Sequence, residues 1–316
     1  MYDIIVVGSA SIDFNVTAPH LPAPGETVLG TRFFQVCGGK GANQAVGCAR
    51  LGGKVAMVLR VGADPAGQTI IAALREAGVG TDYVTVDQEQ ASGTAHISIA
   101  ETGENAIIVV PGSNGALSPA DIDRARPAIA RAKLLMVQLE IPLATALYAL
   151  QVAQEYGVPT MLDPAPAPKA ALPEAFYRCS TWVTPNESEA AALCGAAVDS
   201  PHTAAAAAKL LAERGVANPV VKLGGGGSVY LAGGRPIHVP AFVVETVDTT
   251  AAGDAFAAGL AVALVEGQIA ADALRFASAA GALTATQYGA QPALPTRAAL
   301  EQLLASGKVR AATTDL

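Results

Sequence analysis

The sequence has 316 residues, of which 51% are hydrophobic and 15% charged, and its formal net charge is −7. This length allows one large or two medium domains, and the composition excludes a disordered chain. The negative charge argues against a nucleic-acid partner, and no run approaches the roughly 20 apolar residues of a membrane span. Because the start, Met1-Tyr2-Asp3, also lacks a basic leader segment, we predict a cytoplasmic protein with no nucleic-acid or membrane partner.

Apolar runs and helical stretches alternate along most of the chain. The first strand, 4–8, ends in small residues, and Gly38-Gly39 introduces a helix over 41–51. The same reasoning predicts strands at 55–59, 134–139, 160–163, 182–183 and 219–223, and helices at 66–77, 143–156, 187–193, 202–214, 253–265 and 270–286. This alternation indicates an α/β fold in which a doubly wound, mostly parallel sheet is flanked by helices.

Two segments, 14–36 and 93–111, show strand-like patterning with no helix between the strands. Within the second, a turn at 102–105 separates two apolar runs and predicts a hairpin. We expect a small β-sheet that projects from the single domain formed by residues 1–316 and covers a site as a lid. Its open edge strands favour pairing with a second copy of the chain, so we predict a homodimer through the lid strands.

The most informative segment is 248–256, which reads Asp-Thr-Thr-Ala-Ala-Gly-Asp-Ala-Phe. Its small residues, Ala251, Ala252 and Gly253, leave the first-turn N–H groups of a helix open to an anion such as phosphate. Asp254 would repel that anion, but it could act as a base toward a hydroxyl while the N–H groups hold developing negative charge. The segment therefore indicates phosphoryl transfer to an alcohol; the alternative is an ordinary helix start capped by a threonine.

Further polar residues stand where strands end. Asp13 and Glu140 follow the strands 4–8 and 134–139, at the edge where an open parallel sheet binds ligands. Asp13 could accept hydrogen bonds from two neighbouring sugar hydroxyls, although an ordinary turn explains it equally well. The glycine-rich run 38–43 would allow close approach of a ligand to the backbone.

Two other segments favour a nucleotide-binding site. Asn186 and Glu189 have the spacing of a capping box at a helix start; the same pair could hold Mg²⁺-bound water beside a nucleotide, and both interpretations can hold together. The four glycines 224–227 separate two apolar runs. They predict a hairpin turn and also leave backbone open for a nucleotide to lie over.

Together these features resemble the ribokinase-type (phosphofructokinase-B) carbohydrate kinase family, from residue 4 to about residue 295. The strongest signatures are Gly-Gly-Lys-Gly-Ala-Asn-Gln-Ala at 38–45 and Asp-Thr-Thr-Ala-Ala-Gly-Asp at 248–254. Supporting matches are Pro24-Gly25-Glu26-Thr27, Asp163-Pro164-Ala165-Pro166-Ala167, Thr184-Pro185-Asn186-Glu187 and Gly289-Ala290-Gln291-Pro292. The resemblance implies ATP-dependent phosphorylation of a sugar hydroxymethyl group, with D-ribose as the first expectation. Deoxyribose, fructose or nucleoside kinases, and a non-catalytic sugar-binding protein, are the alternatives.

The resemblance also assigns site residues. Asp254 would be the catalytic base, with an anion hole at Ala251, Ala252, Gly253 and Asp254. The sugar contacts map onto Ser11, Asp13, Gly39, Lys40, Asn43, Glu140 and Asp254. The nucleotide contacts map onto Asn186, Lys222, Leu223, Gly224, Gly225, Gly226, Gly227, Gly253 and Ser278. Mg²⁺ would come with ATP, near Glu189 in its outer shell, and a K⁺ site maps onto Asp248, Thr250, Thr284, Gln287, Gly289 and Ala293.

The sequence departs from the family pattern at three of these positions. Ser11 stands where the family usually carries Asn, which weakens the inference to ribose. Ala293 stands where a Ser often contributes to the K⁺ site, and Lys222 is not the commonest residue before the glycine run.

Overall fold

The computed structural model describes residues 1–314 and 316. The strands are β1 (Ile4–Val7), β2 (Ser11–Ala18), β3 (Arg32–Gly38), β4 (Val55–Gly62), β5 (Gly80–Asp87), β6 (Thr94–Ala100), β7 (Asn105–Val110), β8 (Leu134–Gln138), β9 (Thr160–Asp163), β10 (Trp182–Val183), β11 (Asn218–Lys222), β12 (Ser228–Ala232) and β13 (Arg235–Val239). The α-helices are α1 (Lys40–Arg50), α2 (Pro65–Glu76), α3 (Pro119–Ile129), α4 (Leu143–Glu155), α5 (Glu174–Arg178), α6 (Glu187–Cys194), α7 (Pro201–Glu213), α8 (Ala252–Val265), α9 (Ala270–Thr284) and α10 (Arg297–Ser306).

The main sheet has nine strands in the order β13-β12-β11-β10-β9-β8-β1-β4-β5. Its strands pair in parallel from β11 to β5, and the β11–β12 and β12–β13 pairs are antiparallel hairpins. After β1 the chain builds outward on one side through β4 and β5, and later on the other side from β8. The point where this direction reverses lies between β1 and β8, which is where open α/β sheets bind ligands.

Alternating residues of the central strands fill two apolar layers. Ile4 and Val6 of β1 pack with α1, α8 and α9 on one face of the sheet. Ile5 and Val7 pack with α3 and α4 on the other face. Because side chains of a strand point alternately to opposite faces, the continuous apolar run predicted for β1 serves both layers.

A second sheet of four strands, β3-β2-β6-β7, lies apart from the main sheet. It uses 11–18, 32–38, 94–100 and 105–110, so the predicted segments 14–36 and 93–111 are confirmed as strands, except that residues 19–31 form no regular element. Its edge strand β7 is exposed along its whole length, and the most exposed of its large apolar side chains is Ile108, at 68%. We keep the name lid for this sheet.

Most predicted elements match the structure to within one or two residues. The exceptions include β5, α3 and α10, which the sequence patterns did not predict, and β4, which continues to Gly62 instead of ending at residue 59. No helix among the described residues combines the length and apolar character needed to cross a bilayer.

Candidate active site

Asp254 lies in the first turn of α8 and is only 5% exposed. Its carboxylate accepts hydrogen bonds from Asn43 Nδ2 at 2.9 Å and from Gln44 Nε2 at 3.2 Å, both on α1. The two helices approach closely because α1 carries Gly47 at the contact: a methyl group there would lie 2.8 Å from the Ala258 side chain. The helix packing therefore sets the contact between the predicted base and its hydrogen-bond donors.

The turn before α8 presents backbone N–H groups at the same point. Ala251 has a left-handed conformation, with φ of 58°, which costs a non-glycine residue about 1–2 kcal/mol. The Ala252 N–H was predicted to bind an anion, but it donates to Thr249 O at 3.1 Å within this turn. The N–H groups of Gly253 and Asp254 donate to no acceptor among the described residues, so they are the first-turn donors open to a ligand.

A chain of buried polar contacts connects Asp254 to Lys222. Gln44 Nε2 also donates to Asp163 Oδ2 at 2.9 Å, and Asp163 Oδ1 accepts from Lys222 Nζ at 3.1 Å. A methyl group on Gly253 would lie 3.4 Å from Lys222 Nζ. The Lys222 ammonium is therefore next to the open N–H groups, and a single amide nitrogen joins the base to the carboxylate that holds this cation.

The sequence did not assign a role to Gln44, Asp163 or Gln138, which orients Gln44 by donating to its Oε1 at 2.6 Å. Asp163 had a usable signal, because it ends a predicted strand at the same edge as Glu140. Gln44 stands within the signature 38–45, which named no role for it, and Gln138 gave no signal. Both are uncharged and fully buried, and only the fold shows what they contact.

The predicted sugar-binding residues gather at the β1–β8 reversal point. Ser11 Oγ donates to Asp13 Oδ1 at 2.6 Å, and Glu140 Oε2 accepts from Ser9 Oγ at 2.5 Å and from the Lys40 backbone N–H at 3.0 Å. Glycine is required at two neighbouring positions. A side chain on Gly38 would clash with the Asp13 carboxylate, and Gly39, with φ of 88°, lies against Ala10.

Charge is concentrated around this site. Burial raises the pKa of Asp254, an effect opposed by the positive charge of Lys40 and by the hydrogen bonds from Asn43 and Gln44. Burial would lower the pKa of Lys40, but the charges of Asp254, Asp163, Glu140 and Glu189 outweigh it and raise that pKa well above its ordinary value. Burial, aided by the charge of Glu140, raises the pKa of Asp13 to about 6 despite the hydrogen bond from Ser11.

A cavity of about 500 Å³ opens beside Asp254. Predicted nucleotide contacts that line it are Asn186, Lys222, Gly224, Gly225, Gly227, Gly253 and Ser278, and Lys40 and Glu189 line it as well. Asn186 and Glu189 form the predicted capping box of α6, and burial raises the pKa of Glu189. Leu223 differs from the prediction, because its side chain packs in the core against Ala190 and Val198, so that only its backbone could reach a nucleotide.

The residues predicted for K⁺ lie in two segments that meet: the loop before α8, and the end of α9 with the residues that follow it. Asp248 accepts from the Thr250 N–H at 2.9 Å through Oδ1, and from the Gly289 N–H at 2.9 Å through Oδ2. Burial would raise the pKa of Asp248, but these hydrogen bonds lower it. Thr284 donates its hydroxyl to Ala280 O. Ala293 offers no side-chain oxygen, so a cation bound at Ala293 would be held there by backbone carbonyl oxygen.

Comparison with known proteins agrees with this geometry. Residues 1–297 match the pfkB family carbohydrate kinases. The chain belongs to this family. It is 43% identical over 304 residues to a ribokinase of Bacillus subtilis, and the match covers 96% of this chain and 100% of the relative. It is 36% identical over 294 residues to a deoxyribokinase of Salmonella typhi, and that match covers 93% of this chain and 96% of the relative. The structure of an Arabidopsis thaliana ribokinase complexed with ribose and ATP aligns with a TM-score of 0.86 at 34% identity, covering 96% of this chain and 98% of that one. As a pfkB family member the chain is a phosphotransferase that acts on a sugar hydroxyl.

Replacing Asp13 by Asn is expected to stabilise the sugar-free protein while impairing sugar binding. The pKa of Asp13 is raised from 3.8 to about 6, so its charge opposes folding above pH 6, by up to about 3 kcal/mol, and this cost is absent below pH 4. The Tm of D13N should therefore be higher than that of the wild-type protein at pH 8 and equal to it near pH 4. Asp199→Asn, on the exposed surface, is the control; a D13N protein that is equally destabilised at both pH values would contradict the expectation.

Replacing Gln44 by Met keeps the volume and removes both hydrogen bonds to carboxylates. We expect kcat to fall by about 10–100-fold, because a hydrogen bond to a charged group is worth about 1.5–3 kcal/mol, with little change in KM. The acidic limb of the kcat profile should move to higher pH, since the Gln44 bond lowers the pKa of Asp254. Thr160→Val, which removes a buried hydroxyl that donates to Cys179 O, is the control for lost stability. If kcat falls equally at every pH and the acidic limb does not move, a positioning role for Gln44 is excluded.

Proposed function

We propose that this carbohydrate kinase is an ATP-dependent ribokinase that phosphorylates the 5-hydroxymethyl group of D-ribose. The observation that carries the proposal is the position of the buried Asp254 carboxylate. It lies at the start of α8, next to the open N–H groups of Gly253 and Asp254, between the sugar-side polar cluster and the 500 Å³ cavity. The similarity to ribokinases, one of them solved with ribose and ATP, supports the choice of substrates.

At the sugar end, the acceptors are placed for a polyol. Asp13 lies near the start of β2 and Glu140 follows β8, and Asn43 Oδ1 is buried with no partner among the described residues. Ribose presents adjacent hydroxyls as donors, and carboxylate acceptors make stronger hydrogen bonds with them than neutral acceptors do. These three residues would hold the sugar ring so that its 5-hydroxyl points toward Asp254.

In the proposed reaction, Asp254 accepts the proton of the 5-hydroxyl while that oxygen attacks the γ-phosphorus of ATP. The bond between the γ-phosphorus and the β,γ-bridging oxygen breaks, and ADP leaves with the bond's electron pair. The N–H groups of Gly253 and Asp254, together with Lys222, would hold the negative charge of the transferring group. The raised pKa of Asp254 makes it a better proton acceptor than an ordinary aspartate.

Two metal ions fit the residues present. Mg²⁺ bound with ATP would neutralise phosphate charge; Asn186 and Glu189 hydrogen-bond each other, so they would reach it through water. The described residues contain no group of three acidic or metal-binding side chains able to hold an ion alone. The Gly289 N–H donates to Asp248 and so joins the two segments that carry the predicted K⁺ ligands; backbone carbonyl groups there would supply neutral oxygen ligands.

The lid and the assembly are part of the same proposal. The lid sheet carries Ser11 and Asp13 on β2, so closing it would exclude water from the sugar. The exposed edge of β7 would pair with a second copy in a homodimer, and the enzyme would act in the cytoplasm.

Deoxyribose is the second candidate substrate. Ser11 stands where the family usually carries Asn, and its hydroxyl donates to Asp13. The family also includes the deoxyribokinase relative. A site with one fewer amide donor near Asp13 would discriminate less between a sugar with a 2-hydroxyl and one without it.

Asp254→Asn tests the proposed base. We expect kcat to fall by roughly 10²–10⁴-fold, because an amide cannot take the proton, while ATP affinity stays within about threefold of wild type. A coupled ADP-release assay measures the rate, and calorimetry with ATP measures binding. Asp272→Asn, on the exposed start of α9, is the matched control; an unchanged rate in D254N would remove Asp254 from the role of base.

A substrate panel tests the overall proposal. With ATP and Mg²⁺, we expect D-ribose to give the highest kcat/KM, above deoxyribose, fructose and adenosine, and the rate to rise when K⁺ replaces Na⁺. Preferred turnover of deoxyribose would favour the second candidate. If no pentose, hexose or nucleoside is phosphorylated, the proposed function is wrong.

A further inference from the structure

Residues 307–314, which we call the strap, lie beyond the matched range 1–297 and run back along the sheet edge. Three hydrogen bonds fix the strap. Val243 N donates to Lys308 O at 3.0 Å and Arg310 N donates to Ala241 O at 2.9 Å, and these two bonds make an antiparallel bridge between Val309 and Phe242. The third runs from Thr313 N to His238 Nδ1 at 2.9 Å. The strap backbone is thereby held against residues 238–243.

The segment that the strap pairs with is a wall of the ATP cavity. Ala241, Phe242 and Val244 line the cavity, and so does the side chain of Arg310. Arg310 lies over the glycine turn: a methyl group on Gly225 would be 3.7 Å from its Nη2 atom. The strap therefore delivers a guanidinium group to the edge of the cavity.

This position matters because the turn 224–227 has no side chains of its own. The described cations that line the cavity are Lys40, Lys222 and Arg310. Lys40 lies among carboxylates and Lys222 is paired with Asp163, at the Asp254 end. Arg310 supplies positive charge at the glycine turn, in a chain whose net charge of −7 would otherwise repel a polyanion.

We propose that Arg310 is a nucleotide-binding residue whose guanidinium contacts phosphate oxygens of ATP across the glycine turn; this rests on the proposed ATP-dependent function. The planar guanidinium presents paired N–H donors that match two phosphate oxygens. Because no side chain projects from Gly225 or Gly226, a phosphate can approach the backbone and the guanidinium together.

The test compares Arg310→Ala, Arg310→Lys and the neighbouring control Lys308→Ala, whose side chain does not line the cavity. Calorimetry would measure Kd for ATP, ADP and adenosine, and for D-ribose. We expect R310A to weaken ATP and ADP binding by about tenfold, R310K to recover part of it, and both to leave adenosine and ribose unchanged. Lys308→Ala should match wild type.

The outcomes separate this inference from the function on which it rests. Failure of the wild-type protein to bind ATP would contradict the proposed function. Normal ATP binding by the wild-type protein together with unchanged ATP binding in R310A would overturn the role of Arg310 alone. An equal loss of ATP and adenosine affinity in R310A would show that Arg310 contacts the adenosine part of the nucleotide. It would overturn the proposed phosphate contact.

Discussion

The site depends on keeping the Asp254 carboxylate buried and still able to exchange a proton. A carboxylate that loses its water is strongly destabilised unless donors or positive charges replace the water. Here two amide donors on α1 and the charge of Lys40 compensate only in part, so the pKa of Asp254 stays raised. That partial compensation requires α1 and α8 to touch, which the absence of a side chain at Gly47 makes possible.

Sequence patterns predicted the elements that hold the site because those elements are buried. No other conformation would bury the apolar run of β1 and the small-residue helix α8 to the same extent. The patterns missed β5, whose residues are largely half-exposed and mixed in polarity, and α10, which buries only Leu300. Such edge elements owe their conformation to neighbours, and a single sequence does not identify those neighbours.

For the site itself, charge and glycine were informative, and neutral polar groups were not. Asp13, Glu140 and Asp254 stand at ends of predicted elements, and they converge at the reversal point between β1 and β8. Gln44 belongs to the signature 38–45, but its role could not be predicted, because an amide in a helix is ordinary until its two carboxylate partners are known. The hydrogen bond from the Ala252 N–H to Thr249 O could not be predicted from the sequence either, because it follows from the left-handed turn at Ala251.

That left-handed turn and the buried charges share one physical explanation. Ala251 in a disfavoured conformation and Asp13 with a pKa of about 6 both reduce the stability of the sugar-free protein. Each has a function only when a ligand is present, because the turn leaves N–H groups open for phosphate and the carboxylate accepts from sugar hydroxyls. Ligand binding would supply the partners that these groups lack, so both substrates should stabilise the fold more than their contact area alone would suggest.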